Sequence, residues 1–244
     1  GSEMCIRDRI NPNFWSPTNR TNLLRQIAPI LIIGIAQSYV LITGNIDLSI
    51  GSVVGMSTMV AATLMSKGIM SPIPALLVTL LCCLLIGVLN GLLVAKFKLP
   101  PFIATLGTMT VARGIAQLVN GNYNTDSIMK FYPEAAQTFK NVFYYGKTLG
   151  LYNGIWIAII LWIVFNFLLS KTRTGRYIYA TGSNIDAARL SGVNVVSTTV
   201  IAYVVSAFCS FVVGIITCAT VGQGTMDAGN SYEMYACLLY TSDA

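Results

Sequence analysis

The sequence predicts an all-α protein, a polytopic bundle of membrane-spanning helices. Only 10% of its 244 residues are charged and 55% are hydrophobic, whereas soluble domains carry about 25% charged residues. The mean hydropathy is +0.68, and the charges lie in gaps between long apolar runs. So few charges do not cover a water-facing surface, and most of the surface is therefore expected to face lipid or protein.

Six apolar runs are candidate spans or half-spans, because a crossing helix needs about 20 apolar residues and fewer where it is broken. They occupy residues 27–43, 50–65, 73–95, 101–119, 154–169 and 195–221. The first two are short, and the linker between them is too polar to face lipid. Non-helical backbone at membrane depth is tolerated only where protein or water covers it. We therefore expect residues 44–49 to form a break between two helices, turned toward the bundle interior.

The short basic gaps predict the orientation, since cytoplasmic loops carry an excess of Lys and Arg. The basic residues after the third and fifth runs are Lys96, Lys98, Lys171, Arg173, Arg176 and Arg189. Both gaps are expected in the cytoplasm, and residues 120–153 outside. Three cations count against this arrangement, namely Arg20, Arg25 and Lys67. The outer stretch is rich in Phe and Tyr, which favours an interfacial aromatic belt over a docking surface for an outer partner.

Composition excludes several chemistries. The chain has no histidine, which removes the commonest general base and metal ligand and any Ser/His/Asp set. The cysteines inside apolar runs are Cys82, Cys83, Cys209 and Cys218, expected to be small buried hydrophobes rather than zinc ligands. The run Gly146-Lys147-Thr148 lacks the first glycine of a P-loop, since position 141 is Asn. We expect no catalytic residue, no metal and no cofactor, and we attribute the net charge of +6 to topology rather than to nucleic-acid binding.

A few polar side chains inside the runs could line a cavity, and these are Asn45, Asp47, Asn90, Thr105 and Gln117. For Asp47 we favour a structural role, as a cap of the helix that begins near Ser49. Arg113 could either be used inside the bundle or snorkel toward the outer surface. Small residues at a spacing of four predict close helix packing; they are Gly51 and Gly55, Gly87 and Gly91, and Ser206, Ser210 and Gly214.

The gap between the last two runs contains a short polar helix. Ser183 or Asn184 is its expected N-cap, Asp186 lies in its first turn, and Gly192 suits its C-cap. An unspecific amphipathic cytoplasmic loop is the alternative.

Four stretches together resemble the ribose-type, or monosaccharide, permeases of ABC importers. They are Gly44-Asn45-Ile46-Asp47-Leu48-Ser49-Ile50-Gly51-Ser52, then Asn90-Gly91 with Phe102-Ile103-Ala104-Thr105-Leu106-Gly107, then Thr174-Gly175-Arg176-Tyr177-Ile178-Tyr179-Ala180-Thr181-Gly182, and Ala187-Ala188-Arg189-Leu190-Ser191-Gly192-Val193-Asn194. The resemblance extends over residues 11–236. It implies a permease subunit in the bacterial inner membrane that forms the pathway for a simple sugar of the ribose, xylose or galactose class. A branched-chain amino-acid ABC permease and a secondary transporter remain alternatives.

The resemblance also implies partners and site residues. The partners are a second permease subunit in a homodimer or pseudo-dimer, a cytoplasmic ABC ATPase that hydrolyses ATP, and a periplasmic or lipid-anchored sugar-binding protein. The implied ATPase-coupling residues are Gly182, Ser183, Asn184, Asp186, Ala187, Ala188, Arg189, Leu190 and Gly192. The implied pathway residues are Asn45, Asp47, Asn90 and Thr105.

Both ends of the sequence look foreign. Residues 1–9 and 237–244 resemble translated sequencing-adapter read-through, so we expect the permease domain to occupy residues 10–236. The resembled family has one more span before this region and further spans after it. We therefore expect an incomplete permease domain.

Overall fold

The structure, a computed structural model, describes residues 16–234. The two suspected foreign ends lie outside the described residues. Within residues 16–234 the chain forms nine α-helices: α1 (Pro17–Ile42), α2 (Ile50–Ser66), α3 (Pro72–Ala95), α4 (Pro101–Leu118), α5 (Pro133–Lys140), α6 (Asn153–Lys171), α7 (Arg173–Ser183), α8 (Ile185–Leu190) and α9 (Val195–Val221). A π-helical turn (Asn141–Tyr145) and a hairpin of β1 (Lys147–Thr148) and β2 (Leu151–Tyr152) precede α6. The predicted all-α bundle is confirmed.

Each of the six apolar runs forms a helix, but not all are equally suited to cross a membrane. In the described part, α1, α3, α6 and α9 are long and apolar enough to span, while α2 is a shorter apolar helix of 17 residues. The helix α1 begins ten residues before its apolar run, at Pro17, where the hydroxyl of Ser16 accepts a hydrogen bond from Asn19 N at 3.3 Å. A search for uncharged residues misses such polar first turns.

The helix α9 is the centre of the bundle and packs against α1, α2 and α3. Of its most apolar window 67% is buried, against 22% for α6 at the periphery. Small residues allow the close contacts: a Cβ at Gly87 would lie 2.8 Å from the Tyr203 carbonyl oxygen, and one at Gly91 2.6 Å from Val200 Cα. These contacts on α3 confirm the predicted close packing at the small-residue faces.

The bundle has two ends. At the end that we call the α8 end, Gly182 lies against the carbonyl of Ile42, the last residue of α1. At the opposite end, the hairpin end, the Tyr145 hydroxyl donates to Thr220 O at 3.0 Å, close to the last residue of α9. The helices α1, α3 and α6 therefore run toward the α8 end, and α2, α4 and α9 run away from it.

Two of the cations that count against the predicted orientation have local partners at the hairpin end. The guanidinium of Arg25 lies 3.4 Å from the ring centroid of Tyr152 and 4.8 Å from that of Tyr144. The ammonium of Lys67 donates to Val119 O at 3.5 Å. Stacking on aromatic rings gives Arg25 a structural reason for its position that is independent of topology.

After α9 the chain turns back at Gly222, whose φ is +78°, and residues 222–234 return alongside α2. A Cβ at Gly55 would lie 2.7 Å from the Ala228 carbonyl oxygen, and one at Gly51 would overlap the carbonyl of Gly229. Arg113 Nη1 donates to Met226 O at 2.9 Å and to Ala228 O at 3.3 Å. Arg113 therefore holds the returning segment, and this contact favours a role within the protein over snorkelling toward the outer surface.

Candidate functional sites in the bundle interior and at the α8 end

The break between α1 and α2 is held by the carboxylate of Asp47. Its Oδ1 accepts from Ser49 N at 2.9 Å and from Ser49 Oγ at 2.6 Å, and its Oδ2 accepts from Ser206 Oγ at 2.7 Å. Ser206 lies 11 residues after the first residue of α9, or about 17 Å at 1.5 Å per residue. This depth is near the middle of a hydrocarbon core of about 30 Å.

The hydrogen bonds continue from Ser49 into two further helices. Asn90 Nδ2 on α3 donates to Ser49 Oγ at 2.9 Å, and Thr108 Oγ1 on α4 donates to Asn90 Oδ1 at 2.6 Å. We call Asp47, Ser49, Asn90, Thr108 and Ser206 the interior cluster, and all five are at most 3% exposed. It joins the break, α3, α4 and α9 at one depth, as buried polar groups in lipid must be paired.

The four predicted pathway residues are thus only partly brought together. Asp47 and Asn90 meet through Ser49, whereas the amide of Asn45 donates to Thr43 O at 3.2 Å and to Thr43 Oγ1 at 2.8 Å. Thr105 is buried and donates to Pro101 O of its own helix at 2.8 Å. Asp47 has the structural role that was predicted at the start of α2. Its carboxylate accepts from the amide of Ser49, the residue before α2 begins, and not from an amide in the first turn of α2.

Sequence reasoning missed Ser49 and Thr108 as members of the cluster. Both are single hydroxyl residues beside or within apolar runs, and neither carries a pattern that distinguishes it from a solvent-facing or self-bonded hydroxyl. Ser206 was identified only as a small packing residue, and small size gave no indication of its bond to Asp47.

At the α8 end, side chains cap the two short helices. Thr172 Oγ1 accepts from Gly175 N at 3.4 Å at the start of α7. Asn184 Oδ1 accepts from Asp186 N and Ala187 N, both at 3.0 Å, so that Asn184 and not Ser183 is the N-cap of α8. Asp186 lies in the first turn, as predicted, where the helix dipole favours a negative charge.

The end of α8 is a Schellman motif. Gly192 has φ +80° and donates to Arg189 O at 2.9 Å, while Val193 N donates to Ala188 O at 3.0 Å. Ala188 packs with Val193 and Val195 in a small apolar cluster. Ser191 is the C-cap of α8, and Gly192 is the next residue, in the left-handed conformation that ends the helix. The prediction therefore placed the end of α8 correctly but named the residue after the C-cap.

The outer face of α8 is apolar in part and fully accessible. Leu190 is 91% exposed and Ile185 47%, and Ala187 and Arg189 are exposed beside them. Ala188 is 3% exposed and therefore supports α8 from within rather than contributing to this face. The pair of Asp186 and Arg189, at 3.9 Å, is a surface ion pair of little energetic weight.

Groups for bond-making chemistry are not assembled in the part of the chain that the structure describes. No group of three or more His, Cys, Asp or Glu side chains that could hold a metal occurs among residues 16–234. Cys83, Cys209 and Cys218 are buried, and Cys82 is half-buried, all as free thiols inside helices. The prediction of buried cysteines is confirmed for Cys83, Cys209 and Cys218 and only in part for Cys82.

A multi-pass helix bundle with a polar break in its interior and a capped, exposed helix at one end is compatible with a membrane transport subunit. Comparison with known proteins agrees. The family described as branched-chain amino acid transport system / permease component matches residues 19–239. No solved structure matches the chain.

Relatives of this chain are sugar permeases by name. It is 38% identical to the ribose import permease protein RbsC of Haemophilus influenzae over 236 residues, which cover 96% of this chain and 71% of that protein. It is 34% identical to RbsC of Bacillus subtilis over 93% of this chain and 68% of that protein. The galactofuranose transporter permease protein YtfT of Escherichia coli is 34% identical over 96% of this chain and 69% of its own length.

The chain belongs to the permease family whose model matches residues 19–239, and the named relatives above are sugar permeases. It is a multi-pass transport subunit of the bacterial inner membrane.

Proposed function

We propose that the chain forms the membrane pathway of an ATP-driven ABC importer for a simple sugar of the ribose class, and that α8 is where a separate ATPase docks. The observation that carries the proposal is the outer face of α8, a capped helix outside the spans with Leu190 91% exposed. The ribose and galactofuranose permeases among the relatives support a sugar as the substrate, in preference to a branched-chain amino acid.

An exposed apolar side chain on a polar, well-defined helix fits a hydrophobic groove on another protein. The caps at Asn184 and Gly192 fix the ends of α8, so the helix presents its outer face without ordering cost at the moment of docking. Its basic surroundings, with Arg173, Arg176 and Arg189, support a cytoplasmic position by the charge bias of membrane proteins.

The docking proposal is tested with Leu190→Glu in the assembled transporter. A charge at this position enters the apolar groove without a partner and should abolish sugar uptake, while the subunit still inserts and accumulates. Copurification of the ATPase is measured beside uptake, and Ile69→Glu is the matched control for copurification, because Ile69 is also exposed (59%) but lies at the hairpin end. Uptake at the wild-type rate by Leu190→Glu would contradict the assignment.

The orientation is tested with single cysteines at two exposed positions, Ser170 near the α8 end and Thr138 near the hairpin end, in a background without native cysteines. We propose that the α8 end is cytoplasmic and that the hairpin end receives the sugar-binding protein. A membrane-impermeant thiol reagent on spheroplasts should label position 138 only. Labelling at position 170 instead would invert the topology.

The pathway itself is proposed to lie between two copies of the chain, beside the interior cluster. The predicted pathway residues Asp47, Asn90 and Thr105 are buried within one subunit, and Asn45 is half-buried. These residues support the pathway from within the subunit and do not face it. We assign the lining to α4, because its exposed face combines small and polar residues with apolar ones, whereas the exposed residues of α3 are all apolar. The exposed small and polar residues of α4 are Gly107, Thr110 and Gln117, beside Phe102, Ile103, Val111 and Leu118, and the exposed residues of α3 are Ile73, Pro74, Leu77, Leu81, Leu85 and Leu89.

The homodimer is tested by cross-linking. Thr110→Cys should form a disulfide between two copies in the membrane, and Leu81→Cys on the lipid-facing side of α3 should not. The reverse result would place the second copy on the other side of the subunit. A secondary transporter is the competing function; it predicts uptake that survives ATP depletion and stops when the ion gradient is collapsed.

A further inference from the structure

Two glycines join α7 to the ends of two spans. A Cβ at Gly175 would overlap the carbonyl of Leu169 near the end of α6, and a Cβ at Gly182 would overlap the carbonyl of Ile42 at the end of α1. Neither glycine has a positive φ. Their requirement is therefore for space and not for backbone conformation, since any side chain would push the backbones apart.

The contact at Gly182 falls at the start of the break. A Cβ there would also lie 3.4 Å from Thr43 Cα, and Thr43 is the residue that the amide of Asn45 holds by two hydrogen bonds. The next residue, Ile46, accepts a hydrogen bond from the Tyr203 hydroxyl on α9 at 3.1 Å. Asp47 then enters the interior cluster.

These contacts form an unbroken physical connection from α7 to the middle of the membrane. It consists of the backbone contact between Gly182 and Ile42, the hydrogen bonds from the Asn45 amide to Thr43, and the hydrogen bonds that Ile46 and Asp47 accept from α9. It does not run through the long apolar stretches of the spans. The side chain of Ile178, one turn earlier on α7, is fully buried in the apolar cluster that also contains residues of α1, α6 and α9. The α7 helix packs against α6 and α9 as well as α1, and its contact at Gly182 is the one that meets the start of the break.

We propose that Gly182 is a positioning residue that transmits the movement of α7 and α8 into the break at residues 43–49, and through Asp47 to α3, α4 and α9. The proposal rests on the proposed docking of an ATPase at α8 and assigns the intramolecular route that follows it. Gly182 acts by contact with α1 and not by contact with the ATPase.

The test uses Gly182→Ala in the full transporter with its ATPase and sugar-binding protein. Gly34→Ala is the matched control, because Gly34 lies on α1, the helix that Gly182 contacts, but has open space where a Cβ would stand. Three quantities are measured: copurification of the ATPase, ATP hydrolysis and sugar uptake. For Gly182→Ala we expect the ATPase to copurify and hydrolyse ATP, with uptake per ATP reduced about tenfold, within the range of coupling between sites. Gly34→Ala should match the wild type.

Asn45→Ala provides a second variant that leaves the α7 backbone untouched and removes only the two side-chain hydrogen bonds to Thr43. It should show the same split, hydrolysis retained and uptake per ATP reduced, even if Gly182→Ala does not accumulate. Wild-type uptake per ATP in Asn45→Ala or in Gly182→Ala overturns the route. Loss of ATPase copurification in Gly182→Ala alone also overturns it, because Gly182 would then act in docking. Failure of the wild-type chain itself to copurify with an ATPase contradicts the proposed function instead.

Discussion

The interior cluster and the α7–α8 segment are two polar regions of an apolar chain, and they use their polar groups in opposite ways. In the interior cluster, side chains bond to side chains of other segments, as Asp47 does to Ser206 and Asn90 to Thr108. In α7 and α8, the side-chain hydrogen bonds go to nearby backbone, as from Asp186 N and Ala187 N to Asn184, and the one ion pair there is local and exposed. The first arrangement joins distant segments, and the second stabilises a local shape and leaves its outer face available.

The difference follows from the medium. A polar group in the hydrocarbon core has no water to bond, so its partners must come from protein. A polar group at the α8 end is solvated, and its bonds serve only to end and start helices. The same residue types are therefore expected to have large effects in one region and small effects in the other.

The largest effect is expected for Asp47→Ala. It leaves the Ser49 amide and the Ser206 hydroxyl without their acceptor, and each buried unpaired group costs about 1–3 kcal/mol. The thermal unfolding temperature of the purified chain in detergent should fall by many degrees. Asp186→Ala, an exposed acid on α8, is the control and should leave that temperature nearly unchanged. Equal shifts for the two variants would remove the contrast between the regions.

The next effect concerns Arg113, which holds the returning segment of residues 222–234. Loss of one charge-assisted hydrogen bond costs about 1.5–3 kcal/mol, so Arg113→Leu should release the segment. A cysteine placed at Ala228, which is 7% exposed, should then react with a thiol reagent at least about tenfold faster. Arg189→Leu at the α8 end should not change that rate. An unchanged rate in Arg113→Leu would show that the segment is held by packing alone.

A smaller effect is expected at the N-cap of α8. Asn184→Ala removes the acceptor for two amides and should cost about 1 kcal/mol of local stability, whereas Asn184→Asp should retain it. Hydrogen exchange at the amides of Asp186 and Ala187 should accelerate by about fivefold in Asn184→Ala. Ser183→Ala is the control, since the Ser183 hydroxyl only donates to Ala180 O. Acceleration in Ser183→Ala as well would assign the cap to both residues.

The smallest effect is expected at the exposed pair of Asp126 and Lys130, 2.7 Å apart near the hairpin end. The hydrogen bond from Lys130 lowers the pKa of the Asp126 carboxyl below its ordinary value. A lowered pKa in the folded state stabilises the fold above the ordinary pKa, and this stabilisation is lost as the pH falls through the folded-state pKa. Asp126→Asn should lower the unfolding temperature only slightly at neutral pH and low salt, and the difference should vanish in acid and at high salt. A difference that persists in acid would point to a cause other than charge.

The sequence predicted the spans and the ends of α8 because both depend on local patterns. Uncharged runs mark helices in lipid, and Asn184 and Gly192 have the chemistry that helix ends require. It could not predict the interior cluster, because Ser206 lies 159 residues after Asp47 along the chain and no pattern records that pairing. It also could not predict that Gly182 faces α1, since a glycine required for space is indistinguishable in sequence from one required for a turn.

The most direct test of the central claim, that an ATPase docks at α8 and not at the hairpin end, is site-specific photo-cross-linking in intact membranes. A photoreactive amino acid is placed at Leu190 on α8, or at Leu149, which is 86% exposed at the tip of the hairpin. At position 190 we predict a cross-link to the ATPase subunit, identified by its mass, and at position 149 no cross-link to it. A cross-link to the ATPase at position 149, or none at position 190 in a transporter that imports sugar, would contradict the account.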